Sequence, residues 1–366
     1  MDSGVDAVDC APQVSATWVA LRLADPAGAF ESVRIGGDSA LTRGGRPLVR
    51  VGDVWTGGFD RPDLARIEYQ FVGRLSAAAG GGTRWLTDPC NPLSVQTAFG
   101  RHSVLELPGY TAPAWTAAEG IPGRYDRFEL PAGSGELGEP LPVAVWSPAD
   151  STGAEPLPML LVHDGPEYDE LAALTRFSAV QVARSALPRH RVALLQPVRR
   201  AQWYSASQAY LRTETGPLLR LLRERYAVSG PLAVMGASLG GLTAVLAGLH
   251  QPGSDIGAVF SQSGSFFQPA HDQQERGYDG YGPICAAVGE VLAGTRGSRP
   301  PLTVAMTCGA LEENAANNRD MAAALRRSGH RVTLHEVRDL HSYTAWRDGL
   351  DPALTSLLRD CWAAPG

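Results

Sequence analysis

Three residue types at three places in this chain could together carry out acyl transfer. The first is Ser238, at the centre of Gly236-Ala237-Ser238-Leu239-Gly240. An apolar run, Leu232 to Met235, leads into that segment, and Leu242 to Leu249 continues from it with helical spacing. Strand, sharp turn and helix around G-x-S-x-G read as a nucleophile elbow, which lifts a serine hydroxyl at its apex. Glycines two positions either side of the serine avoid collision with the helix and the neighbouring strands. The helix start aims backbone N–H groups at the turn, which suits an oxyanion. The plain alternative is a Gly-rich strand-to-helix turn with an ordinary serine, since the pattern also recurs by chance.

A serine hydroxyl needs a base, and the base needs an orienting acid. Around such an elbow they follow in the order Ser, acid, His. Five histidines follow Ser238: His250, His271, His330, His335 and His341. His250 belongs at the far end of the elbow helix, and His330 and His335 precede or lie within the last long strand, where packing or surface roles fit better. His341 falls in the loop just after that strand, where the base is expected. The acid belongs after the strand Leu302–Thr307, where Glu312 and Glu313 stand. Glu312 is favoured, although a glutamate there could instead serve the start of the next helix. Asp339, nearer in sequence, is expected to point elsewhere. The oxyanion would be held by the N–H of Leu239 and by a donor from His163-Asp164-Gly165-Pro166-Glu167-Tyr168. Pro166 has no N–H, so Gly165 or Glu167 must serve, and Gly165 would permit close substrate approach. A plain Gly-Pro turn is the alternative.

The elements that must position these residues change character along the chain. Residues 1 to about 115 look all-β: Val14, Ala16, Trp18 and Ala20 alternate with smaller or polar residues, as do Ile67, Tyr69 and Phe71 with Arg66, Glu68 and Gln70. Gly36-Gly37-Asp38 and Gly57-Gly58-Phe59-Asp60-Arg61-Pro62 punctuate a small antiparallel sandwich, closed by the Pro-fixed turn Trp85 to Pro92. Pro108 to Gly123 reads as a linker. Beyond it, Tyr125–Leu130 and Leu141–Ser147 suggest a hairpin. Then Met159–His163, Val192–Gln196, Leu232–Met235, Ala258–Gln262 and Leu302–Thr307 alternate with helical segments, which implies a mostly parallel sheet with helices on both faces. Asn317 to Arg327 is a helix before the strand Arg331–Val337, and Asp272 to Gly282 is a polar loop. The expected domains are 1–115 and 116–366.

Composition narrows the chemistry. The 366 residues are 44% hydrophobic, and no apolar run approaches the length of a membrane span. A net charge of −6 argues against nucleic acid. All 32 basic residues are arginine, which excludes Schiff-base catalysis, a Ser–Lys dyad and a Walker-type phosphate loop. Five scattered cysteines, Cys10, Cys90, Cys285, Cys308 and Cys361, fit neither a disulfide framework nor a zinc site, so reduced thiols and no metal or cofactor are expected. The acidic start, Met1 to Asp6, lacks a basic-then-apolar leader, and cytoplasmic residence is the default.

At the level of motifs the chain resembles the enterochelin (enterobactin) esterases, within the wider putative-esterase group of α/β-hydrolases. The resemblance is carried by Gly236 to Pro252, by Phe260-Ser261-Gln262-Ser263-Gly264-Ser265, and by His341-Ser342-Tyr343-Thr344-Ala345-Trp346-Arg347-Asp348-Gly349-Leu350. It implies Ser238, Glu312 and His341 as the triad, with Asp164-Gly165 as the oxyanion loop. Arg66 to Phe71 with Asp88-Pro89-Cys90-Asn91-Pro92 is similar to the early-set, immunoglobulin-like sandwich that precedes such domains. Arg200 matches a family arginine that helps hold an anionic siderophore. The glutamate expected close behind it is replaced by Gln202-Trp203-Tyr204, a departure that bears on substrate more than on chemistry.

The implied substrate is a small-molecule ester, with a ferric trilactone siderophore as the leading candidate. A tris-catecholate trianion wants arginines and aromatic faces, which Arg199, Arg200, Trp203 and Tyr204 could supply, unless the arginines simply form a solvated loop. A rival is an esterase or acyltransferase on carbohydrate-linked acyl groups, with Trp55, Trp85 and Trp115 stacking on sugars. A further rival is a non-catalytic binding protein of the same fold.

Overall fold

The computed structural model describes residues 10–38, 41, 46–250, 255–296 and 301–363. The acidic start Met1 to Asp6, and Gln251 and Pro252 of the motif after the elbow helix, lie outside the described residues. The chain forms two compact units: Met1–Thr111 together with Arg338–Leu340, and Ala112–Val337 together with His341–Gly366.

The first unit is built from two antiparallel sheets sharing one core. β1 (Gln13–Val14), β2 (Trp18–Ala24), β5 (Val54–Asp60) and β4 (Val49–Val51) form one, in the order β1-β2-β5-β4. The other runs β3-β6-β9-β8, from β3 (Phe30–Gly37), β6 (Arg66–Leu75), β9 (Gly100–Glu106) and β8 (Ser94–Thr97), with β7 (Thr83–Leu86) also on β6. Ile67, Tyr69 and Phe71 point into the core as their alternation predicts. In β2 the phase is opposite to expectation. Val19, Leu21 and Leu23 are buried while Trp18 is 45% exposed, because the run of larger aliphatics outweighs a single tryptophan. Trp55 and Trp115 are buried, Trp115 edge-on to Phe177 within the second unit, so neither offers a face for a sugar.

The Pro-fixed turn does not close this unit, since β8 and β9 follow it. It is a knot of hydrogen bonds: Tyr69 donates to Asp88 (2.6 Å), the Cys90 amide donates to Asp88 (2.8 Å), and Asn91 donates to the Val104 carbonyl (2.8 Å). Cys90 is disulfide-bonded to Cys10, with Cα atoms 5.7 Å apart, inside the usual range. This corrects the expectation of five reduced thiols. Eighty residues of sequence separation hid the pair. Arg338–Leu340 join this unit through the Arg66–Asp339 ion pair, Arg338 on Asp63 (2.6 Å), and Leu340 in the core. Asp339 thus faces Arg66, and sequence order alone could not have assigned these three residues.

The second unit holds an eight-stranded sheet in the order β10-β11-β13-β12-β14-β15-β16-β17. β10 (Gly123–Leu130), β11 (Leu141–Pro148) and β13 (Arg191–Leu195) pair antiparallel. β12 (Met159–His163), β14 (Leu232–Ala237), β15 (Ile256–Gln262), β16 (Thr303–Gly309) and β17 (Arg331–Val337) run parallel, with β13 parallel to β12. Met159 and Leu161 enter one apolar layer with Leu242, Val245 and Leu325, and Leu160 and Val162 enter the other with Phe177, Val180 and Leu354. Two covered faces are why these strands are apolar without alternation. Asp272 to Gly282 contains a 3-10 turn, Gln273–Gly277, and the start of the helix Tyr281–Leu292. Among the described residues no helix is long and apolar enough to cross a membrane, and no cluster of metal-ligating side chains occurs.

Candidate active site

Parallel strands deliver their following loops to one edge of the sheet, where ligands of such sheets bind. Here those loops carry Gly165 after β12, Ser238 after β14, Ser263–Ser265 after β15, Glu312 after β16 and His341 after β17.

Ser238 joins β14 to the helix Leu239–Gly248 with φ 55° and ψ −124°, a strained conformation for a residue with a side chain. Gly236 is obligatory, because a methyl group there would overlap the Gly240 backbone, and one on Gly241 would press on Ser261 and Gly264. The Ser238 amide donates to Gln262 O (3.0 Å), and the Ser265 amide donates to Ser238 O (3.0 Å). The Ser238 hydroxyl lies 3.2 Å from that of Ser265. Leu239 opens the helix, so its N–H has no partner within the helix and faces the turn.

Glu312 Oε2 accepts from His341 Nδ1 at 2.9 Å, with side chains 2% and 31% exposed. The carboxylate is otherwise fully engaged. Oε1 accepts from the Gly309 amide (2.7 Å) and the Ser263 hydroxyl (2.8 Å), and the Cys308 thiol donates to Oε2 (3.8 Å). Burial, reinforced by the Glu312 charge, pushes the Cys308 thiol well up, so it stays protonated as a donor. With Nδ1–H on Glu312, Nε2 is the nitrogen left to act as base. The fold thus places Glu312 against the imidazole.

Gly165 begins the helix Gly165–Ala172, after Asp164 in the left-handed region (φ 51°). The reason for glycine differs from the one expected. A side chain there would overlap the Leu194 backbone of β13, so it is helix-to-sheet packing that demands it. Arg200 grips Asp164 with two bonds of 2.8 Å, and Arg199 pairs with Glu139 (2.7 Å). Trp203 and Tyr204 are 4% and 0% exposed, inside the apolar core. They correct the expectation of ligand-facing aromatics: at the end of a short helix, Arg200–Trp203, the large rings of Trp203 and Tyr204 take the inward side, while Arg200, Ala201 and Gln202 stay outside.

The geometry assembles a carboxylate, an imidazole, a strained serine and a helix N-terminus in five loops at one sheet edge. That set can take a proton from a hydroxyl, form an acyl intermediate and stabilise an oxyanion. Residues 134–357 match the family model described as "Putative esterase". The chain belongs to this esterase family. It is 27% identical over 288 residues to the iron(III) enterobactin esterase of Escherichia coli (strain K12), covering 74% of this chain and 67% of that protein. It shares its fold with the enterobactin esterase of Shigella flexneri crystallised in the presence of enterobactin, at TM-score 0.75 and 22% identity over 96% of each chain. The ferric enterobactin esterase of Salmonella typhimurium gives TM-score 0.75 and 23% identity, over 94% of this chain and 93% of that one.

Sequence reasoning about this esterase missed three supports. Ser263, in the left-handed region (φ 47°), donates to Glu312, and Ser265 meets Ser238. Both sit in the Ser-Gln-Ser-Gly-Ser motif, where two hydroxyls spaced by a glycine were the available signal. His163 and Glu214 form a fully buried pair at 3.0 Å below the Asp164–Gly165 turn, with His163 Nδ1 3.1 Å from Met235 O. Burial opposes the charge on His163, but Glu214 outweighs it and raises the imidazole above its ordinary value. No local pattern announces a pair 51 residues apart.

Proposed function

We propose that this chain is a serine esterase that opens the ester bonds of an enterobactin-like trilactone siderophore. Its architecture on this reading is an α/β-hydrolase fold preceded by an early-set, immunoglobulin-like sandwich. The chemistry rests on one observation above others, the 2.9 Å contact between Glu312 and His341, carried by loops at the same end of the parallel strands as a serine strained at an elbow. The substrate class rests on similarity to the enterobactin esterases.

In this reading Ser238 Oγ attacks a lactone carbonyl and His341 Nε2 takes its proton. The Leu239 amide, with Gly165 as the second donor, holds the tetrahedral oxyanion, each worth ~3–4 kcal/mol in comparable sites. The ester C–O bond breaks, and the departing alkoxide collects the proton from His341. Water then enters, gives a proton to the same nitrogen and adds to the acyl carbon; the bond to Ser238 Oγ breaks, the acid leaves, and Oγ takes the proton back from His341. Glu312 keeps its negative charge throughout and stabilises the imidazolium. No metal is required, and ferric iron enters only as part of the substrate. Cytoplasmic iron release is the biological setting this substrate implies.

The test is incubation with ferric and iron-free enterobactin, with products resolved by mass. Linear trimer, dimer or monomer from the wild type, and none from Ser238→Ala, is the expected result. Undiminished turnover by Ser238→Ala would refute the mechanism, and hydrolysis of simple aryl esters with no action on either trilactone would refute the substrate.

A further inference from the structure

Trp346 touches both halves of the acid–base pair. Its indole Nε1–H donates to Ser263 Oγ at 3.0 Å, and its ring meets the His341 imidazole edge-on, with centroids 5.0 Å apart at 83°. Ser263 Oγ in turn lies 2.8 Å from Glu312 Oε1, and Glu312 Oε2 lies 2.9 Å from His341 Nδ1. The four side chains close a ring.

The direction of the bonds from Trp346 through Ser263 to Glu312 follows from one fact. An indole nitrogen can only donate. Ser263 must therefore accept from Trp346, and its own hydrogen is left to point at Glu312. Oε1 then holds two donors, Ser263 and the Gly309 amide, so the carboxylate plane is fixed and Oε2 is presented to the imidazole. A carboxylate facing Nδ1 selects the tautomer with its hydrogen there and its lone pair on Nε2.

Trp346 is itself held. Its carbonyl accepts from Gln262 Nε2 (3.1 Å), Gln262 Oε1 accepts from the Tyr168 hydroxyl (2.9 Å), and Tyr343 packs on the indole at 4.8 Å. These contacts span β15 and the helices Gly165–Ala172 and Tyr343–Asp348.

We infer that Trp346 is a positioning residue for the acid–base pair, acting through Ser263 to orient Glu312 and set the His341 tautomer. This rests on the triad reading above and adds to it. The indole fixes hydroxyl polarity, and the same ring limits rotation of the imidazole. Near the pair also stand the Cys308 thiol, which stays neutral, and Glu275, a carboxyl that burial and then Glu313 and Asp272 raise and that also feels His341.

The experiment is a cycle of Trp346→Phe, Ser263→Ala and the double variant, assayed on enterobactin and on p-nitrophenyl butyrate across pH, with thermal melts and Ser238→Ala as control. Phenylalanine keeps a ring against His341 and removes the donor. The expected result is a kcat about tenfold lower for Trp346→Phe, with KM within about twofold. The rising limb of kcat/KM should move to lower pH, because an imidazole facing a misaligned carboxylate gains a proton less readily. The double variant should be no worse than Ser263→Ala alone, since both lesions break one chain of bonds. Wild-type kcat and pH profile in Trp346→Phe, or losses that multiply in the double variant, would overturn the inference. A Ser238→Ala enzyme that still turns over would instead overturn the triad reading, so the two failures are distinguishable.

Discussion

At the residue scale, Ser238, Glu312 and His341 differ in how much their loss should matter. On the proposed mechanism no acyl intermediate can form without Ser238, whereas without Glu312 the imidazole remains but loses its orientation. Ser238→Ala should lower kcat by about a millionfold, and Glu312→Ala by about ten-thousandfold, the spread seen when such a triad is dismantled. Measuring kcat on p-nitrophenyl butyrate for both variants checks the order. An acid variant as inert as the serine variant would mean that Glu312 does more than orient. Gly236 is a second test at this scale, because its missing side chain is what lets the Gly240 backbone close in behind the serine. Gly236→Ala should lose activity together with stability, by about 1–3 kcal/mol in chemical denaturation.

At the scale of elements, each loop owes its position to the strand before it and to the packing of the helix after it. Gly165 shows this most sharply. Its helix can start where it does only because nothing projects toward Leu194. Gly165→Ala should push the helix Gly165–Ala172 off β13, cost about 1–3 kcal/mol of stability and lower kcat more than it raises KM. Urea denaturation with steady-state kinetics on the same preparation decides it, and an unchanged kcat would remove Gly165 from the oxyanion site. The bidentate Arg200–Asp164 pair steadies the same turn from the other side. Its guanidinium is therefore engaged with the protein's own carboxylate.

At the scale of the whole molecule, buried ionisable groups set the acid limit of stability. His190 is fully enclosed between Trp146 and Trp362, with Nδ1 2.8 Å from the Pro188 carbonyl and, among the described residues, no hydrogen-bond partner at Nε2. Burial pushes its pKa from 6.5 down to about 4. Below pH 6.5 the unfolded chain binds a proton that the folded one refuses. This contribution to stability is thus complete above 6.5 and is lost as the pH falls toward 4, on the order of 3 kcal/mol in all. Urea unfolding at pH 7.5 and pH 5 should show a drop about 2 kcal/mol larger in the wild type than in His190→Gln. Equal drops would mean that another group sets the acid limit.

What the chain's order of residues determined by itself is the set of parts and their sequence. The glycine spacing around Ser238, the apolar strands that alternate with helices, and the placement of Glu312 and His341 in successive loops are local signals, each resolved within a few positions. They sufficed for the two kinds of architecture and for naming the groups that are proposed to react. Tertiary structure alone decided what each part faces. Trp203 and Tyr204 looked like ligand surfaces and became core, Trp18 looked inward and lies outside, and Cys10 found Cys90 across eighty residues. The grip of Trp346 and Ser263 on Glu312 belongs to the same class. The reason is geometric: strand and helix periods specify which side of an element a residue occupies, but only packing specifies what stands opposite.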